Sequence, residues 1–153
     1  MDILEAQERI EVRKWVQDAI SLYENAGKAT LLREVADSMG RFVSRERYIY
    51  ALNTDGTMVA HPFEPELTGK NLMDLKDSEE NDFIRKIVDT AKTKGYGYRD
   101  YKWHRPGSDD ELHKTVFFER IDGIILCSGF YSSRESFLDF IIRYLTSPPA
   151  TRP

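Results

Sequence analysis

An Asp122-Gly123 pair sits between two apolar-rich runs, residues 112–121 and 124–131. Asp-Gly supplies the positive φ that a two-residue hairpin demands, so the two runs are antiparallel neighbours. With a two-residue loop, Ile121 pairs with Ile124, and counting outward sets Lys114 opposite Tyr131. A second turn of the same chemistry, Asn53-Thr54-Asp55-Gly56, joins strands at 48–52 and 57–61. Pro62 and Pro65 each lack an amide donor, so that ladder stops there. Tyr96–His104 is a fifth strand, joined to 112–121 through the polar loop Arg105-Pro106-Gly107-Ser108-Asp109-Asp110. Hairpin-linked strands make a mostly antiparallel five-stranded sheet.

Helices fill the rest. Ile3–Ala26 reads as one long helix, with Ile10, Val12, Trp15, Val16, Ala19, Ile20 and Tyr23 at helical spacing and Gly27 as its stop. At about 1.5 Å per residue it is roughly 36 Å long, more than a small sheet can cover. Ile3, Leu4 and Ile10 therefore protrude, and a second copy is the simplest cover, so a homodimer through this helix is expected. A second helix spans 28–39, with Leu31, Leu32, Val35, Ala36 and Met39 on one side and Gly40 at its end. A third is capped by Asp77 with Glu80 reaching back, carries Phe83, Ile84, Ile87, Val88 and Ala91 as its stripe, and ends at Gly95. A last one follows the capping box of Ser132 and Glu135, with Phe137, Leu138, Ile141, Tyr144 and Leu145 apolar, and stops at Pro148-Pro149. The class is α+β in one domain over 1–153: N-terminal helices to 40, sheet core 41–131, C-terminal helix and tail 132–153. The long helices pack on one face and leave the other face and its loops for function.

Several function classes drop out. Net charge is −4 and the basic residues are scattered, so no nucleic-acid surface is expected. The one cysteine, Cys127, sits in an apolar run and reads as a buried inert thiol. No stretch of about 18 apolar residues exists, so no membrane span is expected. The charged N-terminus is unlike a signal peptide, so as written the chain reads as soluble and cytoplasmic, or extracytoplasmic if it is a trimmed fragment. No Ser-His-Asp or Cys-His set supports an enzyme, and no cofactor is implied. Asp74, Asp77, Glu79, Glu80 and Asp82 crowd a helix start and lack the spacing of a calcium loop. His104 and His113, facing each other on the outer side of a hairpin, would be two ligands without a third, so no metal is expected.

One residue stands out on the sheet. With the polar loop centred on Ser108-Asp109, Trp103 falls opposite Lys114, giving a row Trp103–Lys114–Tyr131. Tyr101, Val116, Phe118, Cys127 and Gly129 share its face. A lysine on an apolar face costs several kcal/mol unless an anion meets it. Glu119 and Asp100 alternate to the other face and cannot serve. Either Lys114 binds an anion in a pocket walled by Tyr101, Trp103 and Tyr131, or it snorkels to water at the sheet edge. His61 lies opposite Tyr50 with a two-residue turn and opposite Ile49 with a bulged one.

The order of these pieces resembles the small Cache domain, the sensor module of calcium channels and chemotaxis receptors. The matching residues are Asp55-Gly56, Ala60-His61-Pro62, Gly69-Lys70-Asn71-Leu72, Asp74-Leu75-Lys76-Asp77, Phe83-Ile84, Tyr101-Lys102-Trp103 before Pro106-Gly107, Lys114, and Ser128-Gly129-Phe130-Tyr131. The resemblance spans about Arg41 to Tyr131. It implies a PAS-like sheet and a pocket over it for a small organic acid such as acetate, propionate, pyruvate or lactate. Tyr101, Trp103, Lys114, Tyr131 and His61 would line that pocket. Most such domains are extracytoplasmic sensors that feed a kinase or receptor partner. The alternative is a dimerisation or protein-interaction module that has lost its ligand.

Overall fold

The hairpin at Asp122-Gly123 has the expected two-residue loop: Ile121 pairs with Ile124, and Lys114 with Tyr131. Asp122 takes a φ of 52°, and its carboxylate accepts a 2.7 Å hydrogen bond from the Tyr23 hydroxyl, tying the turn to the long helix. The structure, a computed structural model, describes residues 2–132 together with Ile142, Leu145 and Thr146. Phe137, Leu138, Ile141 and Tyr144, expected on a C-terminal helix, lie outside the described residues.

In chain order the elements are α1 (Ile3–Ala26), α2 (Lys28–Ala36), β1 (Val43–Ser44), β2 (Arg47–Asn53), β3 (Met58–Ala60), a 3-10 turn (Pro65–Leu67), α3 (Phe83–Lys94), β4 (Tyr96–His104), β5 (Glu111–Ile121) and β6 (Ile124–Tyr131). The described strands form one antiparallel sheet in the order β1-β2-β6-β5-β4, with β3 also paired to β2. The short β1 is the one strand not expected from sequence.

Side chains alternate along each strand, so the sheet has two apolar faces. On one, Val12, Val16 and Ala19 of α1 and Leu31 and Val35 of α2 pack with Ile49, Ala51, Phe117, Leu126 and Phe130. On the other, Phe83, Ile84, Ile87, Val88 and Ala91 of α3 pack with Tyr48, Tyr50, Tyr101, Val116, Phe118 and Cys127. Helices thus cover both faces, where the sequence suggested one. The stripe on α3 is the reason: burying each large apolar side chain contributes about 1.5–3 kcal/mol, and only the second face is open to it.

Two helix boundaries also differ. α2 ends at Ala36 because the Asp37 carboxylate accepts from the Met39 amide at 2.9 Å, closing a turn that diverts the chain. Met39 is consequently 93% exposed rather than part of the stripe. Asp77 does not cap α3, which begins after Asp82. It is buried, accepts from the amides of Glu79 and Asn81 at 2.9 Å, and takes the Lys102 amide at 2.9 Å on its other oxygen. Five residues too early for the helix, its carboxylate pins the loop to edge strand β4 instead. Glu80, with a φ of 62°, occupies that turn and has no capping role.

Candidate functional site

The pocket face is set by three strands and one loop. On β5, Lys114 points to the α3 side and is 1% exposed. Its stem crosses β6 at Gly129, where a methyl group would come within 2.8 Å of Lys114 Cε and 2.7 Å of Val116 Cγ2. The absence of a side chain there lets the lysine reach β2. Its ammonium donates to the Tyr48 hydroxyl at 2.9 Å, the one hydrogen bond it makes among the described residues. It also lies 4.0 Å from the centre of the Tyr48 ring, 5.3 Å from Tyr131 and 5.6 Å from Tyr50. Burial pulls its pKa from 10.5 to about 7, and the nearby Cys127 and Glu64 oppose that fall. A three-donor cation with one neutral partner is poorly compensated away from water.

Next to it the Tyr50 and Tyr101 hydroxyls share a hydrogen bond of 2.9 Å. Burial raises both hydroxyls well above the usual tyrosine range, so both stay protonated. Tyr101 stacks on Phe83, with centroids 3.9 Å apart and planes at 10°. Tyr131 donates to the His104 carbonyl at 2.7 Å, so its ring crosses β5 and closes one side of the site.

The roof is the loop after β3. A bulge places Leu52 opposite Met58 but Ala51 opposite Ala60, leaving Val59 as the extra residue. Val59 and Ala60 both pack on the α1 side, and the next side chain returns to the pocket side. That side chain is His61, stacked on Tyr50 at 5.8 Å and 16° and tilted against Tyr48 at 5.0 Å. Its Nδ1 accepts from the amides of Phe63 and Glu64 at 3.1 and 3.0 Å, so the ring turns the loop and carries its proton on Nε2. Burial first, then the charges of Lys114 and His104, lowers its pKa to about 3, so it is neutral at physiological pH. The loop is fixed at its far end, where Gly69 and Leu72 donate to Met58 and Gly56 carbonyls at 2.8 and 2.9 Å.

Between floor and roof lies a cavity of about 20 Å³ lined by Tyr48, Tyr50, His61, Glu64, Tyr101 and Trp103 among others, room for about one water. Lys114 and Tyr131 do not line it directly; Lys114 meets it through Tyr48. Of the five sequence candidates, Tyr101, His61 and Trp103 share this cavity, and Lys114 and Tyr131 adjoin it. One register detail is corrected. Tyr101, not Trp103, pairs with Lys114, while Trp103 pairs with Leu112 at the rim. The β4–β5 loop is centred one residue earlier than expected, which moves the partner by two and so keeps every side chain on its face. The same shift pairs His104 with Glu111 and His113 with Lys102, so the two histidines do not face each other. No metal-binding group of three or more His, Cys, Asp or Glu occurs among the described residues.

Three contributors escaped the sequence reading. Tyr48 and Tyr50 alternate on β2 in a way that could have marked them as one face. Glu64 gave no signal, because its place depends on how His61 turns the loop.

Comparison with known proteins bears on this site. A family model described as a Cache domain matches residues 11–136. The chain is 30% identical over 78 residues to the sensor histidine kinase MctS of Rhizobium johnstonii, covering 51% of this chain and 17% of that protein. It is 26% identical over 110 residues to the methyl-accepting chemotaxis protein McpP of Pseudomonas putida, covering 67% and 20%. The chain thus spans about a fifth of the length of these relatives. Among solved structures, a periplasmic sensor domain of a chemotaxis protein shares the fold with a TM-score of 0.77 at 24% identity, over 87% of this chain and all of that one. A Cache chemosensory domain solved for its carboxylic acid recognition matches with a TM-score of 0.73 at 25% identity, over 85% of this chain and 97% of that one.

Proposed function

Since the chain belongs to the Cache domain family, we propose that it is a sensor module that binds a short organic carboxylate, such as acetate, propionate, pyruvate or lactate, over the pocket face of the sheet. One observation carries the reading. Lys114 is 1% exposed, its ammonium makes one hydrogen bond among the described residues, and it stands behind a cavity of tyrosine hydroxyls and a neutral histidine. A carboxylate that reaches it supplies the missing countercharge. A charge-assisted hydrogen bond of this kind contributes roughly 1.5–3 kcal/mol. Recognition falls to Lys114 for charge, Tyr101, Tyr131 and His61 for hydrogen bonding and shape, and Trp103 for the rim. Tyr48 and Tyr50 join them. The similarity to a carboxylic-acid-recognising Cache domain supports the ligand class.

With room for about one water, the cavity must widen to admit such a ligand. The roof is the part suited to move. It is a loop anchored at its two ends, whereas the floor is a hydrogen-bonded sheet. In this reading roof movement is the conformational signal, passed to a kinase or chemoreceptor partner, with the module on the extracytoplasmic side as the family likeness implies. No described helix is long and apolar enough to cross a membrane. Ile3, Leu4 and Ile10 are exposed along α1, which supports a homodimer through that helix.

Calorimetry and thermal shift against the four acids test the proposal. At a ligand concentration one hundred times Kd, stabilisation reaches about 2.7 kcal/mol, and affinities in the micromolar to millimolar range are expected for so few atoms. The small cavity favours the second reading, a ligand-free interaction module. A flat screen on folded protein decides for it.

A further inference from the structure

The roof of the pocket is apolar, built from Met58, Leu67, Leu72 and Leu75, except at His61 and Glu64. Glu64 enters it three residues after His61, its backbone fixed by the hydrogen bond its amide donates to His61 Nδ1. Its side chain is 13% exposed. Its carboxylate is divided in use: Oε1 is engaged by His104 Nε2, while Oε2 is buried and makes no hydrogen bond among the described residues. His61 Nε2 lies 3.6 Å from Oε2, too far for a hydrogen bond. Its charge is felt by Tyr48, Tyr101, Tyr131 and Lys114, so it acts on the whole site.

We propose that Glu64 is the specificity determinant of this pocket, selecting a short monocarboxylate that carries a hydroxyl group and rejecting dicarboxylates. The inference rests on the carboxylate-sensor reading and deepens it. A buried carboxylate oxygen with unused lone pairs is costly, and a donor brought by the ligand removes the cost. A hydroxyl is such a donor; the methyl or methylene of an unsubstituted acid is not. A second carboxylate on the ligand would meet Glu64 as a like charge in a site with little water to screen it. Lys114 thus takes one end of the guest and Glu64 tests the other. Specificity of this kind is large because the wrong ligand leaves a polar group unpaired.

Lactate and propionate share a carbon skeleton and differ by one hydroxyl, so their ratio of Kd values, read by calorimetry at one pH, isolates the effect. The wild-type protein should bind lactate about tenfold or more tighter than propionate. In Glu64→Leu the ratio should fall to near one. In Glu64→Gln, which keeps an acceptor for His104 while removing the charge, malonate should bind at least tenfold tighter than it does to the wild type. Equal binding of lactate and propionate by the wild type, or a lactate preference that survives in Glu64→Leu, overturns the inference and leaves the sensor reading standing. If Glu64→Leu does not fold, the malonate arm decides: unchanged malonate affinity in Glu64→Gln overturns the inference. Failure of the wild type to bind acetate, propionate, pyruvate or lactate removes the sensor reading, and this inference with it; binding of acetate or pyruvate without lactate or propionate overturns the inference alone.

Discussion

Replacing Lys114 by methionine should make the ligand-free protein more stable, and by an amount that depends on pH. Lys114 is fully buried with one hydroxyl partner, and its pKa falls from 10.5 to about 7. Each pH unit of that gap is worth about 1.4 kcal/mol, so below pH 7 the folded protein carries roughly 4–5 kcal/mol of unfavourable charge burial. The sign is opposite to that of a lysine gaining an ion-pair partner. Here the unfolded chain holds the extra proton between about pH 7 and 10, so wild-type stability rises with pH across that window. Methionine matches the lysine stem in length and places sulfur near the Tyr48 ring, but it leaves the Tyr48 hydroxyl without its donor, at about 1 kcal/mol. Lys114→Met should therefore exceed the wild type by about 2–4 kcal/mol at pH 6, and the advantage should shrink to about 1 kcal/mol or less by pH 9. Urea unfolding at the two pH values reads both quantities. A variant less stable than the wild type at pH 6, or an advantage that does not change with pH, would refute the account of an uncompensated buried cation. Under the proposed function the same variant should lose carboxylate binding about tenfold or more, the result expected of a residue that trades stability for recognition.

Affinity for a short carboxylate, followed by calorimetry from pH 6 to 9, should be flat below pH 7 and fall by up to about tenfold per pH unit above it, because only protonated Lys114 serves the anion. A pH-independent affinity would remove Lys114 from the site. Gly129→Ala puts a methyl within 2.8 Å of both Lys114 Cε and the Thr115 carbonyl oxygen. It should cost about 1–3 kcal/mol in denaturant unfolding and weaken ligand binding with it. Tyr50→Phe and Tyr101→Phe each break the 2.9 Å hydroxyl pair and strand its partner, so each should cost about 1 kcal/mol or more while the double variant costs less than their sum. Ile10→Asp should leave the fold intact, since Ile10 is exposed, and should reduce the molar mass seen by light scattering to one chain if α1 is the dimer contact.

Much of this architecture was legible because its causes are local. Asp122-Gly123 fixes a two-residue loop by backbone conformation alone, and the Lys114–Tyr131 pairing follows by counting. Strand alternation has a period of two, so even the misplaced centre of the 105–110 loop kept Tyr101, Trp103, Lys114 and Tyr131 on one face. Helix α3 was readable as a stripe, but its cap was not, because Asp77 serves a turn and an edge strand whose proximity no neighbouring residue announces.

How distant pieces meet at the lysine was not legible in this way, because it depends on long-range packing. Pairing of β2 with β6 joins residues more than seventy positions apart and brings Tyr48 and Tyr50 over Lys114. The bulge at Val59, which no turn residue marks, swings His61 to the pocket side, and His61 in turn aims Glu64 into the roof. Turn chemistry and periodicity act between near neighbours and can be read from residue types. The burial of one ammonium and one carboxylate oxygen depends on which non-local surfaces exclude water, and that is settled only when the sheet closes and the loop folds over it.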